Sequence, residues 1–141
     1  MTENQPTVLF VCNSNRGKSQ MAQALMDLRS AGKVRSISAG VAAEEGASVN
    51  QEAAASLAKI GANMTGVAQR TTEDLYDQAD HIVVVGGADL GELSPENAAK
   101  VQRWAPDEPS LRGIEGEERM NLLRDDIDRH VQKLLGDIAG E

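Results

Sequence analysis

One cysteine, three aromatic residues and no extended apolar run set the limits of this 141-residue sequence. A single thiol, Cys12, leaves no internal disulfide to form and argues against a structural zinc site. A free thiol fits a reducing cytoplasm. With only Phe10, Tyr76 and Trp104, the chain has little material for stacking on an aromatic substrate. No apolar run approaches the roughly 18–20 residues that a membrane span needs. The stretch Met1 to Pro6 is polar and has no signal-peptide core, so a cytoplasmic location is expected. Positive charge is also scarce. The 14 lysines and arginines face 22 acidic residues, a net charge of −8 that argues against nucleic acid or an anionic membrane as main partner.

Against that background one segment stands out: Cys12-Asn13-Ser14-Asn15-Arg16-Gly17-Lys18-Ser19. It follows the apolar run Val8-Leu9-Phe10-Val11 and precedes a helix-like stretch from Gln20 to Met26. A strand feeding a short polar loop and then a helix is a natural anion cradle. Backbone N–H groups and the positive end of the helix dipole converge there. In an acidic chain, Arg16 and Lys18 would supply the local positive potential. Cys12 at the mouth of such a loop reads as a nucleophile rather than core filler.

Two loop types compete. The phosphate-binding loop G-x-x-x-x-G-K-[ST] fits positions 12 to 19 except that Cys12 replaces the first glycine. A cysteine-centred oxyanion loop, C-x5-R-S, fits except that Lys18 replaces the arginine. A nucleotide hydrolase also needs an acidic residue for magnesium at the end of an apolar strand. The best strand, His81-Ile82-Val83-Val84-Val85, ends in Gly86-Gly87; Asp80 lies at its wrong end and Asp89 is only nearby. The cysteine-centred reading is therefore preferred.

Strand-like and helix-like segments alternate along the chain. Thr7 to Val11, Val34 to Ser38, His81 to Val85 and Lys100 to Trp104 read as strands. Ser19 to Ala31 reads as a helix with Met21, Leu25 and Leu28 on one face and Gly32 as C-cap. Asn50 to Ile60 reads as a second, capped by Asn50 and stopped by Gly61. Thr72 to Tyr76 and a segment opened by Ser94-Pro95 give short helices. The last helix spans about Glu117 to Leu135, with Met120, Leu123, Ile127, Val131, Leu134 and Ile138 recurring at spacings of three and four. This predicts an α/β fold: one domain over residues 1–141, a four-stranded parallel sheet and helices on both faces. Ligands of such folds bind at the carboxyl ends of the strands. Cys12, Gly40, Gly86 and the stretch after Trp104 would meet there. His81 and His130 read as structural, and the Glu115 to Glu118 cluster as a helix-start charge arrangement rather than a metal site.

The chain resembles the low-molecular-weight protein tyrosine phosphatase superfamily and, within it, the phosphatase-like arsenate reductases. Cys12, Asn15 and Ser19 match the family's C-x-x-N-x-x-R-S, with Lys18 in place of the arginine. Ser19-Gln20-Met21-Ala22 matches the reductases' continuation, where the phosphatases usually carry proline at position 20. Ser38-Ala39-Gly40 is the second family mark, and Trp104-Ala105-Pro106-Asp107-Glu108-Pro109 corresponds to W-x-x-x-D-P. The resemblance implies that residues 13–19 (Asn13, Ser14, Asn15, Arg16, Gly17, Lys18 and Ser19) bind an oxyanion and that Cys12 attacks it. Lys18 would keep the charge of the missing arginine without its bidentate fork. Ser19 would donate to the thiolate, and Asn15 would fix the loop. Arg16 would either assist Lys18 or sit at the rim, the rim being preferred. Asp107 and Glu108 compete for the role of general acid.

The scarcity of aromatics, Ser110 where phosphatases carry an aromatic residue, and Gln20 all favour arsenate over phosphotyrosine. Thioredoxin-coupled relatives use two further cysteines after the third strand. Here that stretch reads Gly86-Gly87-Ala88-Asp89-Leu90, so an internal disulfide relay is impossible. The resemblance then implies release of the Cys12 adduct by an external low-molecular-weight thiol, mycothiol-like, with a glutaredoxin- or mycoredoxin-like reductant as possible partner and a place in arsenical resistance. No bound cofactor or metal is expected; relatives hold a potassium ion beside a glutamate where this chain has Gln23. A phosphatase acting on a small phosphate ester or phosphotyrosine, and a non-catalytic oxyanion-binding module, are the alternatives.

Overall fold

The computed structural model describes residues 5–64 and 66–140. Its centre is β1 (Thr7–Cys12), in which every residue is buried. The strand can be apolar along its whole length because it is covered on both faces, as in parallel sheets generally. Around it lie β2 (Arg35–Gly40), β3 (His81–Val85) and β4 (Val101–Trp104), all parallel, in the order β2-β1-β3-β4. The expected four-stranded parallel α/β sheet is the one observed.

Side chains alternate across the sheet with the two-residue period of a strand. Val8 and Phe10 join the larger core under α1 (Lys18–Ser30), α2 (Gln51–Ala58) and α5 (Gly116–Ala139). Leu9 and Val11 join a smaller core with Tyr76 of α3 (Glu73–Gln78), Ala79 and Ile82. A four-residue helix, α4 (Pro95–Ala98), starts where Ser94 Oγ accepts from Asn97 N–H at 3.1 Å, with Pro95 as its first residue. Asn50 likewise caps α2, its Oδ1 accepting from Ala53 N–H at 2.9 Å.

Several details differ from the sequence reading. Strand β2 runs on through Ser38-Ala39-Gly40, because Gly40 is in register with Cys12. Helix α5 continues to Ala139, one turn past Leu135, while its apolar face is the one expected, with Met120, Leu123, Ile127, Val131 and Leu134 buried. In α1, Leu28 faces solvent. The last turn of that helix is covered only along Met26 and Ser30, so the buried stripe is Met21, Ala22, Leu25 and Met26. Arg29 on the same turn forks onto Asp128 of α5 at 2.9 and 2.6 Å, a bidentate pair that fixes the two helices against each other.

Strands β2 and β3 lie on opposite sides of β1, so the chain changes direction across the sheet after β2. A crevice opens at the carboxyl ends where such a sheet reverses. No helix among the described residues is long and apolar enough to cross a membrane.

Candidate functional site

At the end of β1 the backbone turns sharply into α1. Asn15 makes the turn with φ of +58°, a left-handed conformation that asparagine tolerates better than most residues. It is fully buried, and its backbone N–H and both ends of its side-chain amide are used. Its backbone N–H donates to Cys12 Sγ at 3.2 Å, its Nδ2 donates to Ser19 Oγ at 2.8 Å, and its Oδ1 accepts from Gln69 N–H at 2.9 Å. Ser19 Oγ lies 2.9 Å from Cys12 Sγ. Because that oxygen already accepts from Asn15, the hydroxyl proton is left to point at the sulfur. Two N–H or O–H donors therefore converge on Cys12 Sγ. Asn15 fixes the loop as its motif position implied, and it fills the left-handed position as well.

The outer side of the loop is held by its neighbours. Asn50 N–H donates to Arg16 O at 2.7 Å, and Arg16 Nε donates to Ser48 O at 2.6 Å. Arg16 is thus a rim residue, exposed and tied to the segment before α2. Gly40 packs directly beneath the loop: a Cβ there would lie 2.5 Å from Asn13 O and 2.8 Å from Asn15 N. This contact explains the glycine of Ser38-Ala39-Gly40. No side chain caps the amino end of α1, where Gly17 precedes the helix. Unclaimed N–H groups at such an end attract an anion.

The crevice over the loop has a volume of about 400 Å³. Cys12, Asn13, Ser14, Arg16, Gly17 and Lys18 line its floor, with Gly86 and Gly87 on the β3 side. Gly86 has φ of +107°, and Lys18 Nζ would lie 3.7 Å from a Cβ at that position. Lys18 reaches out of α1 to pair with Glu108 Oε1. Asp107, the neighbouring candidate, points elsewhere. Arg112 holds its carboxylate at 2.5 and 2.9 Å, and its backbone N–H donates to Asp126. The Arg112 hydrogen bonds keep the Asp107 carboxyl below the usual carboxylate range, which makes it a poor proton donor. Of the two carboxylates, the geometry brings Glu108 to the loop and keeps Asp107 away from it.

Other residues of the sequence reading find structural places. Gln20 is buried, and its Nε2 donates to Val67 O at 3.3 Å, which anchors the segment beside Gly66. Gln23 accepts from Ser38 Oγ at 2.6 Å. Asp89 accepts from Gly91 N–H within its own turn, and Asp80 accepts from Thr7 N–H at the opposite end of the sheet. Neither lines the crevice over the loop. His130 stacks on Trp104 with ring centres 5.1 Å apart. The sequence did not reveal that Asn50 and Gln69 hold the loop or that Arg119 lines the crevice. The first two act on the loop through backbone N–H groups, which leave no residue-type signal. Arg119 lines the crevice from α5, a hundred residues from the loop.

A model of the low molecular weight phosphotyrosine protein phosphatase family matches residues 7–139, nearly the whole described chain. The chain belongs to this family. The probable low molecular weight protein-tyrosine-phosphatase EpsP of Ralstonia solanacearum is 37% identical over 95 residues, 67% of this chain and 65% of that protein. The glutaredoxin arsenate reductase of Synechocystis is 26% identical over 94% of this chain and 98% of its own length. Among solved structures, the tyrosine phosphatase AmsI of Erwinia amylovora superposes with a TM-score of 0.81 at 19% identity, covering 94% of this chain and 93% of its own. Relatives of this chain include both phosphatases and arsenate reductases.

Proposed function

We propose that this chain is an arsenate reductase-like enzyme in which Cys12 takes up arsenate and an external small thiol removes it. The observation that carries this reading is the composition of the crevice. A lone cysteine lies at its floor, and among the described residues no aromatic side chain lines it. Trp104 is committed to the core against Phe10 and His130, and Tyr76 lies on the other face of the sheet. Met21, Ala53, Met120 and Leu123 supply the apolar wall instead. A mouth of this kind suits an inorganic oxyanion better than a phosphorylated aromatic ring.

The chemistry follows from the placement. The oxyanion would occupy the loop, held by its N–H groups and by Lys18. The Cys12 thiolate attacks arsenic, a sulfur–arsenic bond forms and an arsenic–oxygen bond breaks. Lys18 turns from Glu108 to the bound oxyanion, Glu108 takes up a proton from solvent, and the departing oxygen receives that proton and leaves as water. An external thiolate then attacks the same arsenic, and Cys12 departs as a thiolate stabilised by Ser19 and the Asn15 N–H. No electrons move in these two steps. Reduction occurs on the released adduct, where a second thiol, on a glutaredoxin-like partner, forms a disulfide with the carrier thiol and leaves the two electrons on arsenic. Cys12, Lys18, Ser19 and Glu108 carry the reaction; Asn13, Ser14, Asn15, Arg16 and Gly17 form the cradle; Asp107 has only a holding role. The test is arsenate turnover by the purified protein with and without an added thiol.

The Lys18–Glu108 pair supports a second reading, hydrolysis of a small phosphate ester. A carboxyl group within reach of the loop could protonate an ester oxygen as readily as an arsenate oxygen. Replacement of Glu108 by glutamine separates binding from proton delivery. Freed from its partner, Lys18 is expected to tighten phosphate binding by roughly threefold to tenfold. Hydrolysis of p-nitrophenyl phosphate, where it occurs, should change little, because that leaving group needs no proton; phenyl phosphate should slow by roughly 10². Equal slowing of the two esters would remove Glu108 from the general-acid role.

A further inference from the structure

Nearly every arginine of this acidic chain is used. Each described arginine other than Arg119 donates to at least one backbone or side-chain oxygen. Arg119 does not. It stands in the first turns of α5, lines the same crevice as Cys12, and its Nε is buried without a hydrogen-bond partner among the described residues. Glu115 is four residues back along the chain, at a spacing where helical ion pairs form, yet the two make none. Burying a guanidinium N–H with no acceptor costs stability, and an anionic ligand would offset that cost. Together with Arg16 and Lys18 it gives the crevice three cations, of which Lys18 is paired with Glu108. Met120 and Leu123, on the same helix, put apolar surface beside the guanidinium.

We propose that Arg119 forms a second anion subsite in this crevice, and that the small organic molecule which meets Cys12 there carries a carboxylate. A planar guanidinium recognises a carboxylate by paired hydrogen bonds, and the neighbouring methionine and leucine accept a short carbon chain. Resting on the reductase reading, the molecule is the thiol that collects arsenic, and it bears a free carboxylate, unlike a mycothiol-like amide: that carboxylate on Arg119 holds its sulfur over the Cys12 adduct. The thiolate bonds to arsenic, the Cys12–arsenic bond breaks, and Cys12 leaves as a thiolate with no change in oxidation state. Were the phosphatase reading the correct one, the carboxylate would belong to the alcohol portion of the ester.

Alkylation of Cys12 tests the subsite without reference to either reaction. The ratio of the rates with iodoacetate and iodoacetamide is measured for the parent protein, Arg119→Gln, Arg119→Lys and, as a control for net charge, Lys133→Gln. The ratio is expected to fall about fivefold to tenfold in Arg119→Gln, to be largely kept in Arg119→Lys, and to be unchanged in Lys133→Gln. An unchanged ratio in a folded Arg119→Gln, or an equal fall in Lys133→Gln, would overturn the proposal. With arsenate, Arg119→Gln should raise KM about tenfold for N-acetylcysteine and leave KM for its amide and kcat unchanged. A fall in the alkylation ratio with no turnover by any thiol would keep the subsite and refute the reductase reading. A preference for 4-carboxyphenyl phosphate over phenyl phosphate, lost in Arg119→Gln, would then assign the carboxylate to the ester.

Discussion

Gly40→Ala is expected to destabilise the protein by about 2–3 kcal/mol and to abolish oxyanion binding. The atoms that a new Cβ would meet are Asn13 O at 2.5 Å, Asn15 N at 2.8 Å and Ser14 C at 2.9 Å. All belong to the backbone, so no rotamer change relieves the overlap. The glycine cannot retreat either, since its N–H donates to Gln69 O at 2.9 Å and its carbonyl accepts from Thr71 N–H at 3.2 Å. The loop must move, and with it the N–H groups that form the cradle. Thermal unfolding and the protection of Cys12 from iodoacetamide by phosphate report the two effects separately. A melting temperature lowered by roughly 6–10 °C is expected, with protection lost even at high phosphate. Protection at the parental phosphate concentration would mean that the loop does not depend on this contact.

Cys12→Ser is expected to lower every turnover of the protein by at least about 10³ while keeping the oxyanion site. The side chain is nearly isosteric, and its partners, Ser19 Oγ and Asn15 N–H, can hold a hydroxyl as they hold a sulfur. What is lost is the nucleophile, for which the chain has no substitute because it has no other cysteine. Phosphate binding followed by calorimetry should stay within a few-fold of the parent. Residual turnover above a tenth of the parent value would show that the reaction does not pass through a sulfur adduct.

Much of this could be read in the sequence, for identifiable reasons. The strand–loop–helix around Cys12 was visible because each part has a strong local signature: four apolar residues, a run of small polar ones, then a helical stripe. The parallel sheet followed from the alternation of such segments. The end of β2 was misplaced because Ser38-Ala39-Gly40 lacks the apolar pattern of a strand; its pairing with Cys12 is imposed by β1, a tertiary effect. Leu28 was placed in the core by its spacing, but spacing does not reveal how far along a helix its cover extends. The choice between Asp107 and Glu108 turned on Arg112, whose fork on Asp107 forms only once the segment after Pro109 has turned back. Arg119 lay beyond sequence reasoning altogether, since its meaning is an absence of partners that only the packed chain displays.

The central claim is that arsenate is taken up by Cys12 and removed by a thiol from outside the chain. Its most direct test is a time course of arsenite formation by the purified protein, supplied with arsenate and with thioredoxin and its reductase, then with a small thiol and a glutaredoxin-type reductant. The account predicts no more than one turnover with thioredoxin alone, multiple turnovers once the small thiol is added, and none in Cys12→Ser under either condition. Sustained arsenite formation with thioredoxin as the sole reductant, or no arsenite with any thiol alongside clear hydrolysis of phosphate esters, would contradict it.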